Sequence, residues 1–204
     1  WANFARSSEA YFESFKPLPD LFKKERSDKY KLIIFVDETL FDRVNDYCKT
    51  IQYVTIIPIN EEFMVKNIPT WSRLNREREI MESKMYKTQF QHRLRFPENS
   101  NPKYTLINHS KIDFVNRAME LSTSEYFCWV DFGYFATPDR IPERLLDVDK
   151  FDKNKITYML INPLDDRDND VLYTMNNAPE RIGGFFFFGN RTVLKEYQAL
   201  FHSI

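Results

Sequence analysis

The apolar positions of this chain follow two patterns, which predict strands and helices. Short unbroken apolar runs predict strands at residues 31–37, 53–57, 126–130, 156–161 and 183–189. Apolar residues at helical spacing predict helices at residues 4–15, 39–49, 70–87, 109–121 and 141–146, and a last helix from residue 191. Strands that alternate with helices are typical of a mostly parallel sheet flanked by helices. The pattern therefore predicts an α/β fold with its site on one edge of the sheet.

The run at residues 126–130 is the most informative, because five apolar or aromatic residues lead directly into Asp131 and Gly133. An unbroken apolar run predicts a strand that is buried on both faces. Asp131 then follows the carboxyl end of that strand, where open α/β sheets bind their ligands, and Gly133 lets the backbone turn. Asp131 is thus a candidate site residue. The alternative is that its carboxylate caps the following turn.

Two further strands carry residues that suit a site at this edge. Asp37 closes the run at residues 31–37, as Asp131 closes its own. Gly183 and Gly184 open the last strand, and paired glycines let the backbone or a ligand approach closely. Tight packing explains the two glycines equally well.

The helix predicted at residues 109–121 begins with two cationic side chains. Asn108 is its predicted N-cap, which places His109 and Lys111 in the first turn. The helix dipole disfavours cations there by a few tenths to about 1 kcal/mol, and a docked anion would reverse that sign. Free backbone N–H groups and two cations together favour a diphosphate site. The alternative is that Asp113 and neighbouring acids neutralise the pair.

Composition narrows the class of protein. The 204 residues suit one domain, and 29 Lys and Arg stand against 30 Asp and Glu. This balance argues against a general nucleic-acid or anionic-membrane binder, although a local basic pocket is compatible with it. Cys48 and Cys128 are far apart in sequence, which indicates reduced thiols in a cytoplasmic protein. No apolar run reaches the roughly 18 residues of a transmembrane segment.

An acidic cluster follows the strand at residues 156–161. Its spacing matches the start of a calcium loop, but Val171 replaces the required Gly and Asn177 replaces the closing Glu. The cluster therefore predicts a solvated loop. Its members are Asp165, Asp166, Asp168 and Asp170.

Six motifs in register along the chain resemble those of the HtrL/YibB family. They are residues 6–12 (RS and EAYF), 32–37 (LIIFVD), 71 with 79–83 (W and EIMES), 109–114 (HSKIDF), 129–133 (WVDFG) and 178–184 (APE and GG). The resemblance covers nearly the whole chain, and members of the family look like glycosyltransferases of the GT-A type. It implies a single GT-A-like (nucleotide-diphospho-sugar transferase) domain over residues 1–204, without the strand with which the family usually begins.

The function implied by the resemblance is transfer of a sugar from a nucleotide-sugar donor, a UDP-sugar, to a glycan acceptor. The product would belong to a surface polysaccharide or a glycoprotein glycan. GT-A enzymes hold a divalent ion, usually manganese, with a D-x-D motif at the end of a central strand. Residues 129–133 occupy this place, but Gly133 replaces the second acid. Asp131 is therefore expected to hold manganese together with another carboxylate or a ribose hydroxyl.

The resemblance also gives roles to residues elsewhere in the chain. If manganese is not held, the cations Lys111, His109 and Arg6 are expected to stabilise the diphosphate. A general base for an inverting reaction would be a carboxylate near the acceptor, with Asp165, Asp166 and Glu180 as candidates. The residues expected near the nucleoside, the sugar or the acceptor are Asp37, Gly133, Asn162, Gly183 and Gly184.

Two other classes of protein fit parts of the sequence. The first is a non-catalytic glycan- or nucleotide-binding module with a GT-A-like fold, which the missing second acid favours. The second is a phosphohydrolase with Asp37 as its nucleophile. Such enzymes need a second Asp two residues later, where this chain has Thr39.

Overall fold

The computed structural model describes residues 8–25, 28–177 and 179–203, which form helices, short strands and several 3-10 turns. The helices are α1 (Ser8–Phe15), α2 (Pro17–Glu25), α3 (Phe41–Cys48), α4 (Glu61–Asn67), α5 (Leu74–Glu82), α6 (Lys84–Gln89), α7 (Pro102–His109), α8 (Lys111–Glu120), α9 (Val171–Asn177) and α10 (Arg191–Ser203). The strands are β1 (Leu32–Asp37), β2 (Val54–Ile59), β3 (Tyr126–Val130), β4 (Thr157–Leu160) and β5 (Ile182–Asn190). Among these residues no helix combines the length and the apolar character that crossing a membrane requires.

The described strands form two separate sheets. β1 and β2 pair in parallel, whereas β5 lies between β3 and β4 and runs antiparallel to both. This overturns the prediction of a mostly parallel sheet and, with it, of a GT-A-like domain. The prediction was wrong because an apolar run shows that a strand is buried on both faces but not that it is parallel. In β5, which is antiparallel, Phe187 and Phe188 point to opposite faces and are both buried.

Helix α8 packs against both sheets. The ring of Phe114 lies 5.0 Å from that of Phe35 in β1 and 5.8 Å from that of Trp129 in β3, measured between ring centroids. On α1, Phe15 belongs to the cluster that packs on β1, and its ring stacks on Phe132 at 4.4 Å. The segment at the carboxyl end of β3 is thus fixed between α1 and α8.

The helix predicted at residues 70–87 is two helices, α5 and α6. Ser83 separates them because its backbone is extended and its hydroxyl accepts a hydrogen bond from the N–H of Tyr86. Serine is a strong N-cap, so it ends one helix and begins the next. Thr70, the predicted N-cap of a single helix, lies in the 3-10 turn Pro69–Arg73 and does not cap it.

Other local predictions had mixed outcomes. The helix from residue 191 is confirmed, and α1 confirms the described part of the helix predicted at residues 4–15. Residues 17–25 lie outside the predicted helices but form α2, whose first turn contains Pro17 and Pro19 at positions where proline is tolerated. Residues 141–146 are not helical.

Strand β3 is less buried than its apolar sequence predicts. None of its residues is fully buried, and Cys128 is exposed. β5 is the partner strand of β3 in the described chain, so one edge of β3 has no paired strand there. Both cysteines are free thiols, as predicted.

Candidate functional site

Lys111 and Asp131 form an ion pair at the carboxyl end of β3. The Nζ atom of Lys111 donates to Oδ2 of Asp131 over 2.8 Å and to the carbonyl oxygen of Gly184 over 2.9 Å. The Lys111 side chain is 13% exposed and the Asp131 side chain 32%. The pair is therefore held in place by β5 and remains open to a ligand. These three residues are called the lysine–aspartate site.

Trp129 orients the carboxylate of this site. Its Nε1 atom donates to Oδ1 of Asp131 over 2.6 Å, while its ring stacks on Phe114 and Phe187. The carboxylate of Asp131 is thus held between the side chains of Trp129 and Lys111. The role of Trp129 was not predicted, although the spacing indicates it, because residues two apart in a strand project from the same face.

The two glycines at the start of β5 have different surroundings. A Cβ atom at Gly183 would lie 2.4 Å from the ring of Phe185, which stacks on Tyr134 at 5.0 Å. A Cβ atom at Gly184 would meet nothing within 4 Å. Gly183 therefore serves tight packing next to the turn that contains Gly133, whereas Gly184 leaves open space beside the site.

The helix predicted at residues 109–121 begins two residues later, so Lys111 lies in its first turn as predicted and His109 does not. α7 ends at His109 and α8 begins at Lys111, with buried Ser110 between them. Asn108 is not an N-cap, since its side chain donates to the carbonyl oxygen of Tyr104. His109 thus lies in the last turn of α7, where a cation is favoured rather than disfavoured. The pKa of His109 is nevertheless lowered, mainly because its ring is partly removed from water and also because the positive charges of Arg73 and Lys111 act on it.

Asp113 does not neutralise Lys111, as one interpretation of the sequence had it. Its carboxylate is fully buried and faces away from the site, towards α10 and the turn at Thr70. Oδ1 accepts hydrogen bonds from Gln198 and His202, and Oδ2 accepts one from the Thr70 N–H. Asp113 therefore fixes the first turn of α8 against two other elements, two residues after Lys111.

Several predicted site residues lie outside this constellation. The carboxylate of Asp37 accepts hydrogen bonds from the N–H and hydroxyl of Thr39, so it caps a 3-10 turn. Asn162 donates to the carbonyl oxygen of Glu180, and Asp166 and Glu180 are exposed. Arg6 lies outside the described residues.

The acidic cluster forms a charged turn and loop. Asp165 and Asp168 make reciprocal capping bonds around the 3-10 turn Asp166–Asn169, and both pair with Arg181. Asp165 also accepts hydrogen bonds from Arg167, which is the main reason that the pKa of Asp165 is lowered. These arginines occupy the oxygens that a calcium ion would need.

The surroundings of the Asp131 carboxylate do not fit a divalent cation. Both carboxylate oxygens already accept hydrogen bonds, one of them from an ammonium group that would repel a metal ion. Hard cations need several oxygen ligands, and the part of the chain that the structure describes contains no group of three acidic, histidine or cysteine side chains suited to one. The manganese site expected at Asp131 therefore finds no support in its surroundings.

The fold and the site define a mixed α/β protein with an oriented lysine–aspartate pair at a strand end. The chain belongs to the family described as "Bacterial protein of unknown function (HtrL_YibB)", whose model matches residues 1–204. This confirms the family resemblance that the six motifs carry. No curated protein and no solved structure matches the chain.

Proposed function

We propose that this protein transfers a sugar from a UDP-sugar donor to a glycan acceptor of a surface polysaccharide or glycoprotein glycan. The donor would bind at the lysine–aspartate site. The observation that carries the proposal is the bridging position of the Lys111 Nζ atom between Asp131 and Gly184. It holds an ammonium and a carboxylate side by side at a strand end.

The charges of this pair select for hydroxyl groups. Because the two charges cancel, the site offers one donor and one acceptor rather than a net positive charge. A ribose or sugar hydroxyl can donate to the carboxylate of Asp131 and accept from the ammonium of Lys111 at the same time. The partial exposure of Asp131 supports this role, since a carboxylate oxygen can accept more than one hydrogen bond.

Lys111 would also stabilise the leaving diphosphate. An ammonium group has three N–H donors, and Asp131 and the carbonyl oxygen of Gly184 accept hydrogen bonds from two of those of Lys111. The third donor suits a phosphate oxygen of the same ligand, because an N–H group that is fixed in place can stabilise the charge that develops there as the bond breaks. In this proposal an oriented hydrogen-bond donor, rather than a net positive charge, stabilises the leaving group.

Glu180 is the best supported candidate for the general base. It is exposed and precedes Gly184 by four residues, a span of at most roughly 14 Å. Asp165, by contrast, is paired with arginines and has a lowered pKa, which makes it a weaker base. Asp166 is exposed but has no described contact with the lysine–aspartate site.

A non-catalytic glycan- or nucleotide-binding module is the second candidate. The ion pair itself favours it, because Lys111 neutralises the only acid of the motif at residues 129–133. Such a pair recognises hydroxyl groups without any need to cleave a bond. Hydrolysis of the donor separates the two functions, since glycosyltransferases also pass sugars slowly to water.

Calorimetric titration of UDP and several UDP-sugars, with and without manganese, tests the proposal. We expect binding that does not need manganese and that weakens about tenfold or more in Lys111→Met and in Asp131→Asn, because each removes a charge-assisted hydrogen bond. Lys66→Met, an exposed lysine on α4, is the matched control and should bind as the unchanged protein does.

Three results would count against the proposal. Absence of nucleotide binding would refute it, and binding without release of UDP from any UDP-sugar would favour the binding module. Binding that requires manganese and persists in Lys111→Met would contradict the assigned role of the lysine.

A further inference from the structure

One segment of the chain is strongly basic although the whole chain is nearly neutral. Between Ser83 and Pro97 there is no Asp or Glu, while the cations are Lys84, Lys87, Arg93 and Arg95. Lys84 and Lys87 are exposed, and among the described residues neither forms an ion pair. Like charges on neighbouring turns repel one another, so an anion bound there would relieve an unfavourable interaction.

These lysines line a surface groove with side chains that suit sugars. Lys84, Lys87, Thr88 and Gln91 are spaced so that they share one face of α6 and the turn after it. Together with Glu82 and Leu94 they line a groove of about 490 Å³, called here the α6 groove. This volume lies within the range of small-ligand sites. Hydroxyl, amide and carboxylate groups all exchange hydrogen bonds with sugar hydroxyls.

The lining of the α6 groove favours a glycan over a nucleic acid. Single strands are held by aromatic side chains on which the bases stack. None of the six lining residues is aromatic, and the nearby rings of Tyr86 and Phe90 pack against each other at 4.8 Å. Glu82 can accept a hydrogen bond from a sugar hydroxyl.

We propose that the α6 groove binds an acidic glycan, a sugar chain that carries carboxylate or phosphate groups. Lys84 and Lys87 bind the anionic groups, and Thr88 and Gln91 bind hydroxyl groups of adjacent sugars. The site is separate from the lysine–aspartate site and does not depend on the function proposed for it.

Titration calorimetry of the full chain at low salt, with oligogalacturonate as the probe, tests this site. We expect binding at least about tenfold tighter than that of neutral maltoheptaose. The double variant Lys84→Gln/Lys87→Gln should weaken it about tenfold or more through the loss of two charge-assisted hydrogen bonds. Lys66→Gln/Lys195→Gln removes the same charge from exposed lysines elsewhere and should change the affinity less than about twofold.

A second variant separates sugar recognition from charge. Thr88→Val should weaken oligogalacturonate binding several-fold and leave the binding of poly-glutamate, which has carboxylates but no hydroxyls, unchanged. Lys111→Met should bind oligogalacturonate as the unchanged protein does. The test of the α6 groove is therefore independent of whether the function proposed for the lysine–aspartate site is correct.

The proposal is overturned by any of four results. These are no preference for oligogalacturonate over maltoheptaose, equal loss in the two double variants, equal effects of Thr88→Val on both polymers, and tighter lysine-dependent binding of a single-stranded oligonucleotide or of phosphatidylglycerol vesicles. The last result would assign the groove to nucleic acid or to a membrane surface.

Discussion

The indole Nε1 atom of Trp129 lies 2.6 Å from Oδ1 of Asp131, so the strand positions the carboxylate that follows it. The ring of Trp129 stacks with those of Phe114 of α8 and Phe187 of β5. Packing of the core is thereby coupled to the orientation of a half-buried acid. A carboxylate held in this way loses little freedom when a ligand binds, which favours affinity.

The first prediction concerns this hydrogen bond. Trp129→Phe keeps an aromatic ring but removes the donor to Asp131, and we expect the affinity for a UDP-sugar to fall about three- to tenfold. The free energy of unfolding should decrease by about 1–3 kcal/mol because a packed side chain becomes smaller. Calorimetric titration and urea unfolding measure the two effects.

Trp71 offers a matched control for this variant. Its Nε1 atom donates to Glu61 rather than to Asp131, and its ring is buried in the same core cluster as Leu106 and Phe114. Trp71→Phe should therefore destabilise the protein to a similar extent and leave nucleotide affinity unchanged. Equal losses of affinity in both variants would show that Trp129 acts only through stability.

The second prediction compares the two glycines that open β5. Gly183→Ala places a methyl group against the ring of Phe185, so we expect a loss of about 1–3 kcal/mol of unfolding free energy. Gly184→Ala has open space and should change stability by less than about 1 kcal/mol. Thermal and urea unfolding measure both variants. The same loss in both would disprove the difference in packing.

The third prediction concerns the buried acid on α8. Asp113→Asn should lower the free energy of unfolding at neutral pH by about 2–4 kcal/mol, because it removes a buried charge that accepts three hydrogen bonds. Asp42→Asn, at an exposed position on α3, should have little effect. Urea unfolding at constant ionic strength measures both.

The same acid predicts how stability depends on pH. Burial alone would raise the pKa of Asp113, but hydrogen bonds from Gln198, Thr70 and His202 outweigh it and lower the pKa. A pKa below the unfolded value contributes stability that is complete above the unfolded value and is lost as pH falls through the folded one. Unfolding free energy should therefore fall more steeply below about pH 4 in the unchanged protein than in Asp113→Asn. Parallel curves would remove Asp113 as the cause.

Parts of the site were predictable from single segments. Asp131 after an apolar strand and Gly184 in a glycine pair were both selected from the sequence, and Lys111 was selected for its position at a helix start. Their meeting was not predicted, because Lys111 and Asp131 are 20 residues apart and Gly184 is 73 residues beyond Lys111. The role of Trp129 was missed because a tryptophan in an apolar run indicates a core residue, and its single N–H donor leaves no separate signal in the pattern.

The sequence by itself determined the family, the approximate positions of the strands and the residue types available for chemistry. These features depend on residues that are close together in the sequence, because an apolar run indicates burial and a motif consists of neighbouring residues. Only the tertiary structure decided that β5 runs antiparallel between β3 and β4, that Asp113 faces α10, and that Lys111 pairs with Asp131. Strand direction and the partners of a side chain depend on contacts between residues distant in the chain, and such contacts leave no periodic pattern in the sequence.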